Sequence, residues 1–146
     1  MTLDLHLLNG LTENFQEFLA HVAVRLNGAL EGSQITEDQF HTLNLIFEKG
    51  RCTSAELAAE RNVTKSSVTE LVARMQAKGL VVKVDNEADR RSQYVCLTGE
   101  GESRLNEVKM KFIAALGPAL AGDGDVVREL NKNLAHVNQL LKDGKK

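Results

Sequence analysis

The sequence of 146 residues has no tryptophan, one tyrosine, one proline and only two cysteines. Two cysteines are too few for a disulfide framework, so the composition favours a reducing, cytoplasmic setting. No apolar run approaches the roughly 20 residues of a membrane-spanning helix, which argues against a membrane protein. The first residues lack a basic stretch followed by a small-residue cleavage site. We therefore interpret them as mature sequence and not as a signal peptide.

The patterns that catalysis and metal binding require are also missing. The four histidines lack the close spacing of zinc ligands, and no HExxH motif is present. Neither cysteine has a catalytic partner nearby, and the 11 glycines form no phosphate-binding loop. We predict that the protein is not an enzyme and holds no cofactor or metal, although a zinc site built from distant His and Glu residues stays open.

What the sequence does contain is a series of helix signals in its first half. Apolar residues at steps of three and four predict a first helix from about Thr12 to Leu30. Capping boxes at Thr36 and Thr53 predict the starts of the second and third helices, and Thr64 is a suitable N-cap for a fourth, about Lys65 to Lys78. The second helix is predicted to place one apolar stripe on the core: Phe40, Leu43 and Phe47.

Two short segments that favour β-structure follow. The first, from about Leu80 to Val84, is rich in β-branched valine, and the second, from Gln93 to Leu97, contains Tyr94 and Val95. They read as strands, joined by the polar segment Asp85 to Ser92. Two short helices followed by a strand–turn–strand are the parts of a winged helix-turn-helix. The predicted fold class is mostly α with a small β wing.

The two ends of the chain carry more apolar side chains than one small lobe can cover. A long helix is predicted from about Glu100 to Leu116, stopped by Gly117 and Pro118. A last helix of about Val126 to Leu141 follows. Together with the apolar residues from Leu3 to Leu11, these helices predict a dimerisation region formed by the N-terminal and C-terminal helices of two subunits.

Charge is unevenly distributed along the chain. The net charge is −2 overall, but the segment from Arg61 to Arg91 carries +3 and the remainder −5. A basic patch on an acidic body is compatible with DNA binding, and a solvated charged face explains it equally well. The basic residues of this segment are Arg61, Lys65, Arg74, Lys78, Lys83, Arg90 and Arg91.

Two segments have side chains suited to DNA. Thr64 to Glu70 places short hydrogen-bonding groups at a helix N-terminus, where phosphate is favoured and base edges are accessible. At the predicted hairpin tip, Arg90 and Arg91 are adjacent, and arginine prefers the narrow minor groove. Asp89 is placed to orient one of them through a bidentate contact.

In order and spacing, these residues resemble the MarR family of bacterial transcription regulators over the whole chain. The series that carries the resemblance is Gln39-Phe40, Glu56-Leu57-Ala58, Ser66-Ser67-Val68-Thr69, Lys78-Gly79-Leu80-Val81, Asp89-Arg90-Arg91 and Leu97-Thr98 with Gly101. The resemblance implies a homodimer with a winged helix in each subunit. It implies that Arg74 contacts phosphate, that Arg91 enters the minor groove, and that five residues line the major-groove face: Lys65, Ser66, Ser67, Thr69 and Glu70. The chain departs from the family at Val82 and Val84, where polar or basic residues are frequent.

We therefore predict a single domain, 1–146, with a winged-helix lobe at about 36–98 and dimerisation helices at about 1–31 and 100–142. The expected function is a cytoplasmic, sequence-specific DNA-binding regulator, acting as a repressor that a small-molecule ligand or stress signal relieves. Its partners would be a near-palindromic operator in double-stranded DNA, a second copy of the chain and a small-molecule effector. The resemblance suggests an effector pocket near His21, Arg25, Phe40, His41 and Phe112.

Two alternatives stay open. The chain could be a winged-helix module that binds protein and not DNA; DNA binding would weaken steeply with salt, which separates the two. It could also be a thiol-based redox sensor, because Cys52 and Cys96 are predicted to lie beside each other at the wing. Two small buried hydrophobic residues are the simpler explanation of these cysteines.

Overall fold

The computed structural model describes residues 4–144, and within that range the chain forms six helices and three strands. In chain order they are α1 (Leu5–Leu30), α2 (Glu37–Lys49), β1 (Cys52–Thr53), α3 (Ser54–Arg61), α4 (Lys65–Ala77), β2 (Val81–Asp85), β3 (Gln93–Leu97), α5 (Gly99–Leu120) and α6 (Gly124–Asp143). The mostly helical fold with a small β wing is thus confirmed.

Side-chain caps set the starts of the helices, as the sequence predicts. Thr36 and Thr53 each form both bonds of a capping box, at α2 and α3. At α4, the hydroxyl of Thr64 accepts a hydrogen bond from the backbone N–H of Ser67. Because these bonds satisfy backbone groups that would otherwise lack a partner, each helix begins at a defined residue.

The three strands form one antiparallel sheet in the order β1-β3-β2. Cys52 faces Val95 across one pair of strands, and Val82 faces Cys96 across the other. Since successive side chains on a strand alternate between faces, Val95 lies on the buried face and Cys96 on the opposite one. The sheet therefore has one side packed on the core and one side that carries the half-exposed Val82 and Val84.

The core of Met1–Phe112 is formed by hydrophobic residues from the end of α1, from α2, α3 and α4, from the sheet and from the first half of α5. The largest side chains that are fully buried are Leu43, Ile46, Leu57, Met75 and Leu105. The predicted stripe on α2 was wrong in one member. Phe47 is 45% exposed with the ammonium of Lys109 4.6 Å from its ring centre, and Ile46 takes the core position instead.

Two helix boundaries differ from the predictions by several residues. The first helix begins at Leu5, with Asp4 as its N-cap, because Leu5 to Leu11 contain good helix formers and no proline. Gly117 and Pro118 do not stop α5, which continues to Leu120. Proline removes one backbone donor and crowds the preceding turn, but the alanines and leucines on both sides favour helix enough to continue it.

By its contacts the chain divides into two compact units, Met1–Phe112 and Ile113–Lys146. The second unit contains the end of α5 and all of α6, none of whose residues is buried. The predicted apolar segment from Leu3 to Leu11 begins outside the described residues, at Leu3. Between residues 4 and 144 no helix has the length and apolar character needed to cross a membrane. The predicted lobe and dimerisation boundaries stay a prediction.

Candidate nucleic-acid interface

The helix-turn-helix consists of α3 and α4, which pack against each other. Asn62, in the left-handed conformation at φ 52°, ends α3, and the N–H of Val63 donates to the carbonyl of Ala58 to close the turn. One face of α4 is buried through Val68, Leu71, Val72 and Met75. The opposite face exposes the side chains that the resemblance assigns to the major groove: Lys65, Ser66, Ser67, Thr69 and Glu70.

The hydroxyl groups on this face are partly occupied by the helix itself. Thr69 donates its hydroxyl hydrogen to the carbonyl of Lys65 at 2.8 Å, which leaves only acceptor capacity and a methyl group facing outward. Ser67 and Thr64 share a hydrogen bond of 2.9 Å between their hydroxyls. Glu70 and Arg74 form an exposed i,i+4 ion pair of 3.7 Å. These side chains are therefore held in defined positions on the helix surface.

The turn of the wing is built by Asn86, a nearly buried polar residue that the sequence analysis did not single out. Its side-chain oxygen accepts from the N–H of Ala88, and its amide donates to the hydroxyl of Ser92 across the turn. Ser92 in turn donates to the carbonyl of Asp89. The preference of Asn for such local turns was the signal that could have identified it.

Asp89 orients Arg91, although not by the predicted bidentate contact. A single carboxylate oxygen of Asp89 accepts from the backbone N–H of Arg91 at 3.0 Å and from its Nε at 3.3 Å. The short spacing of two residues prevents the carboxylate from facing the guanidinium squarely. The Arg91 side chain is 93% exposed, so its end is free to reach a partner.

A cleft of about 200 Å³ lies between the wing, the N-terminus of α3 and the N-terminus of α4. Three cationic side chains line it, Lys65, Lys83 and Arg91, and none of its lining residues is a carboxylate. Arg90 instead lines a separate groove that contains the carboxylates of Asp85 and Glu87. The two adjacent arginines at the wing tip thus lie in different electrostatic surroundings, and Arg91 is the one on the side of α4.

Two basic residues of the predicted patch are already bonded to other groups of the protein. Arg61 is only 17% exposed at its side chain, donates to the hydroxyl of Thr42 at 2.9 Å and forms an ion pair with Asp38. Lys78 donates to the carbonyl of Gln34 at 2.7 Å and to the side-chain oxygen of Gln39 at 3.1 Å. The sequence segment with net charge +3 therefore overstates the charge available to a ligand.

The five predicted effector residues do not form one cavity among themselves in the described part of a single chain. Phe40 and Phe112 pack in or against the hydrophobic core, and the ring of His41 contacts that of Phe40 edge to face at 5.5 Å. His21 lies on the exposed surface of α1, where Arg25 donates to its carbonyl.

The two cysteines lie on adjacent strands, as predicted, but on opposite faces of the sheet. Cys52 is buried beside Val95, and Cys96 lies on the outer face. Burial raises the pKa of the Cys52 thiol, and the ammonium of Lys49 opposes this only in part. Both the alternation of faces and the protonated thiol disfavour a disulfide between them. Among residues 4–144 no three His, Cys, Asp or Glu side chains cluster as a metal site.

Comparisons with known proteins agree with this geometry. Residues 33–92 match the model of the MarR family. The chain is 34% identical over 102 residues to the uncharacterized HTH-type transcriptional regulator YsmB of Bacillus subtilis, covering 67% of this chain and 70% of that protein. The chain belongs to the MarR family. The predicted resemblance is confirmed, and with it the assignment to transcription regulators and not to enzymes.

Further matches differ in extent. The regulator FarR of Neisseria gonorrhoeae is 32% identical over 79 residues, and the match spans 54% of each protein, about half of that relative. A MarR family protein from Bacillus stearothermophilus has a structure that covers 99% of this chain, with 100% of its own length covered, a TM-score of 0.81 and 26% identity. A mutant of E. coli MarR complexed with operator DNA matches with a TM-score of 0.72 and 24% identity, over 92% of this chain and 99% of that one. At this level of identity the match shows a shared fold alone.

Proposed function

We propose that this protein is a homodimeric, sequence-specific DNA-binding repressor, which a small ligand or a stress signal releases from its operator. The observation that carries the proposal is the cleft in which Lys65, Lys83 and Arg91 converge and which no carboxylate lines. A winged helix that binds protein has no need of three converging cations there, whereas a phosphate backbone does. Membership of the MarR family and the similarity to YsmB, an HTH-type transcriptional regulator, support the same role.

The homodimer is supported by apolar side chains at the protein surface. Along α1 the exposed ones are Leu5, Leu7, Leu8, Leu11, Phe15, Phe18, Leu19 and Val24. Along α6 they are Val126, Val127, Leu130, Val137, Leu140 and Leu141. Each helix exposes far more apolar area than monomeric proteins usually leave in water, and burial between subunits removes that cost. Two recognition helices spaced about one DNA turn, roughly 34 Å, would then read a near-palindromic site.

The exposed face of α4 has a defined chemistry for reading bases. Thr69 can only accept hydrogen bonds from DNA, because its hydrogen is given to Lys65. Adenine N6 and cytosine N4 are the donors in the major groove, and the methyl group of thymine suits the Thr69 methyl. We expect Thr69 to disfavour a guanine edge, which offers only acceptors in that groove.

Regulation by a ligand acts through the spacing of the two recognition helices. A ligand that binds better to a dimer of different spacing shifts the population away from the DNA-binding form. The residues expected near that ligand are His21, Arg25, Phe40, His41 and Phe112. Because the exposed His21 and His41 are not enclosed within one protomer, the proposal places the pocket where the second subunit completes it.

Selection of bound sites from random duplex DNA tests the proposal. We expect a near-palindrome. Arg91→Ala should then weaken binding to the selected site and to unrelated DNA alike, and it should reduce the salt slope by about one unit. Ser66→Ala should cost about 1–3 kcal/mol on the selected site and little on unrelated DNA. Lys111→Ala, which removes a cation paired with Glu107 on α5, is the matched control and should change neither.

Recovery of no sequence, or unchanged affinity in both Arg91→Ala and Ser66→Ala, would overturn DNA recognition by this face. The protein-binding alternative would then be preferred.

A further inference from the structure

We propose that Lys78 is a positioning residue that holds the recognition helix at the angle needed for base reading, and that it is not a phosphate ligand. The inference rests on the proposed function and deepens it. In sequence, Lys78 appears as one more cation of the basic segment. In the structure its ammonium contacts two neutral oxygens. One is the backbone carbonyl of Gln34, in the connection after α1, and the other is the side-chain oxygen of Gln39, in the first turn of α2.

The position of Lys78 along α4 separates it from the DNA-facing end. It caps the C-terminus of the helix, 13 residues after Lys65. At 1.5 Å per residue this places it roughly 20 Å along the helix axis from the first turn. A lysine at that end cannot share the phosphate that the first turn approaches. Its two bonded oxygens belong to Gln34, in the connection after α1, and to Gln39, in the first turn of α2.

The two acceptors are themselves held in place. Gln39 is 3% exposed, and its side-chain oxygen also accepts from the N–H of Thr36 at 3.1 Å in the capping box of α2. An amide oxygen has two lone pairs, so both donors are satisfied at once. Gln34 adopts φ 62°, the left-handed conformation that residues other than glycine rarely use. This conformation fixes the direction in which the connection leaves α1, while the Gln34 carbonyl accepts from Lys78.

The same helix end has a second polar contact. Gly79, at φ 72°, follows Lys78, and its carbonyl accepts from the hydroxyl of Thr98 at the start of α5. Besides the buried Met75, two polar contacts thus hold the C-terminal end of α4, one through Thr98 and one through Lys78. Without Lys78 only one of these polar contacts is left, and it restrains the angle of the helix less than two do.

A small tilt of α4 should weaken its contacts with bases more than its attraction to phosphates. A tilt of about 3° at one end of a roughly 20 Å helix moves the other end by about 1 Å. Hydrogen bonds to base edges require donor–acceptor distances near 2.7–3.2 Å, so a shift of about 1 Å weakens them steeply. Attraction to the phosphate backbone varies slowly over the same distance. Loss of Lys78 should therefore reduce specific binding and spare nonspecific binding.

The variants Lys78→Met and Gln39→Leu test this on the full-length dimer, with a site selected by the wild-type protein and with unrelated DNA. We expect each to weaken selected-site binding about tenfold, with nonspecific affinity and salt slope unchanged. Thr36→Val, which breaks the other capping bond of α2 but keeps the Gln39 oxygen, controls for lost capping and should leave specificity intact. Lys83→Met, which removes a cation from the cleft, should lower both affinities and the salt slope.

A parallel loss of both affinities with a smaller salt slope in Lys78→Met would make it a phosphate ligand and overturn the proposal. Normal specificity in Lys78→Met would also overturn the proposal. This substitution is at the protein surface and should leave the protein folded. Hydrogen–deuterium exchange provides a readout without DNA. Amides of Gln34 to Thr36 and of the α4 C-terminus should exchange several times faster in Lys78→Met, and unchanged exchange would refute the link. If the wild type selects no DNA sequence, the proposed function fails while exchange still decides whether Lys78 holds the helix.

Discussion

Gly101→Ala is the sharpest test of how the winged lobe is assembled, because the added methyl group would clash with the backbone of another element. Gly101 is buried in the first turn of α5. A Cβ added to it would overlap the carbonyl oxygen of Leu80 and lie 3.0 Å from that carbonyl carbon and 3.2 Å from Cδ2 of Leu97. The carbonyl oxygen of Leu80 belongs to backbone and already accepts from the N–H of Thr98 at 3.1 Å, so it cannot rotate away cheaply.

The loss of stability in Gly101→Ala depends on how far the backbone must move. To relieve the overlap, the start of α5 has to shift from the start of β2 by about 1 Å. That shift strains two bonds of Thr98, its N–H to Leu80 and its hydroxyl to the carbonyl of Gly79. Overpacking costs about 1–3 kcal/mol and each weakened hydrogen bond about 1 kcal/mol. We expect Gly101→Ala to lower the free energy of unfolding by about 3–5 kcal/mol, a large part of the stability of an ordinary domain.

Urea denaturation at matched protein concentration measures the effect, and Gly99→Ala is the matched control. Gly99 begins the same helix, and a Cβ there meets nothing within 4 Å. We expect Gly99→Ala to be neutral or slightly stabilising, because alanine favours helix. If Gly101→Ala unfolds at the same urea concentration as Gly99→Ala, α5 does not approach Leu80 as closely as the structure has it.

Four further outcomes are expected. Arg61→Met should lower the free energy of unfolding by about 1–2 kcal/mol, because the buried hydroxyl of Thr42 loses the hydrogen bond that Arg61 donates to it. Urea denaturation measures the effect, and an unchanged midpoint of unfolding would contradict the role of this contact. In timed iodoacetamide labelling, Cys96 should react well before Cys52, whose burial raises its pKa; equal rates would argue against the buried thiol. The double Cys→Ser variant should keep its response to peroxide, and loss of that response would favour the redox alternative. Deleting residues 126–146 should abolish both the dimer in sedimentation and DNA binding, and a monomer that still binds its site would refute the dimer.

Much of this architecture could be predicted from local chemistry. Thr36, Thr53 and Thr64 start their helices because a hydroxyl within reach of a free backbone N–H acts over three residues. The strand Gln93–Leu97 has the bounds that the sequence predicted. The order of these signals, together with the residues of the wing, was enough to predict the family and the face of α4 that is exposed. Such inferences succeed because they depend on neighbours in sequence.

Other features depend on residues that are far apart in sequence, and only the tertiary structure determined them. Arg61 and Lys78 count as free cations in the sequence, but contacts across 23 and 44 residues bind them to Asp38 and Gln34. Cys52 and Cys96 are neighbours by strand order yet lie on opposite faces, which strand register decides. A short-range pattern predicts that a side chain is polar, and it does not predict which distant oxygen or carboxylate the fold will bring within hydrogen-bond distance of it.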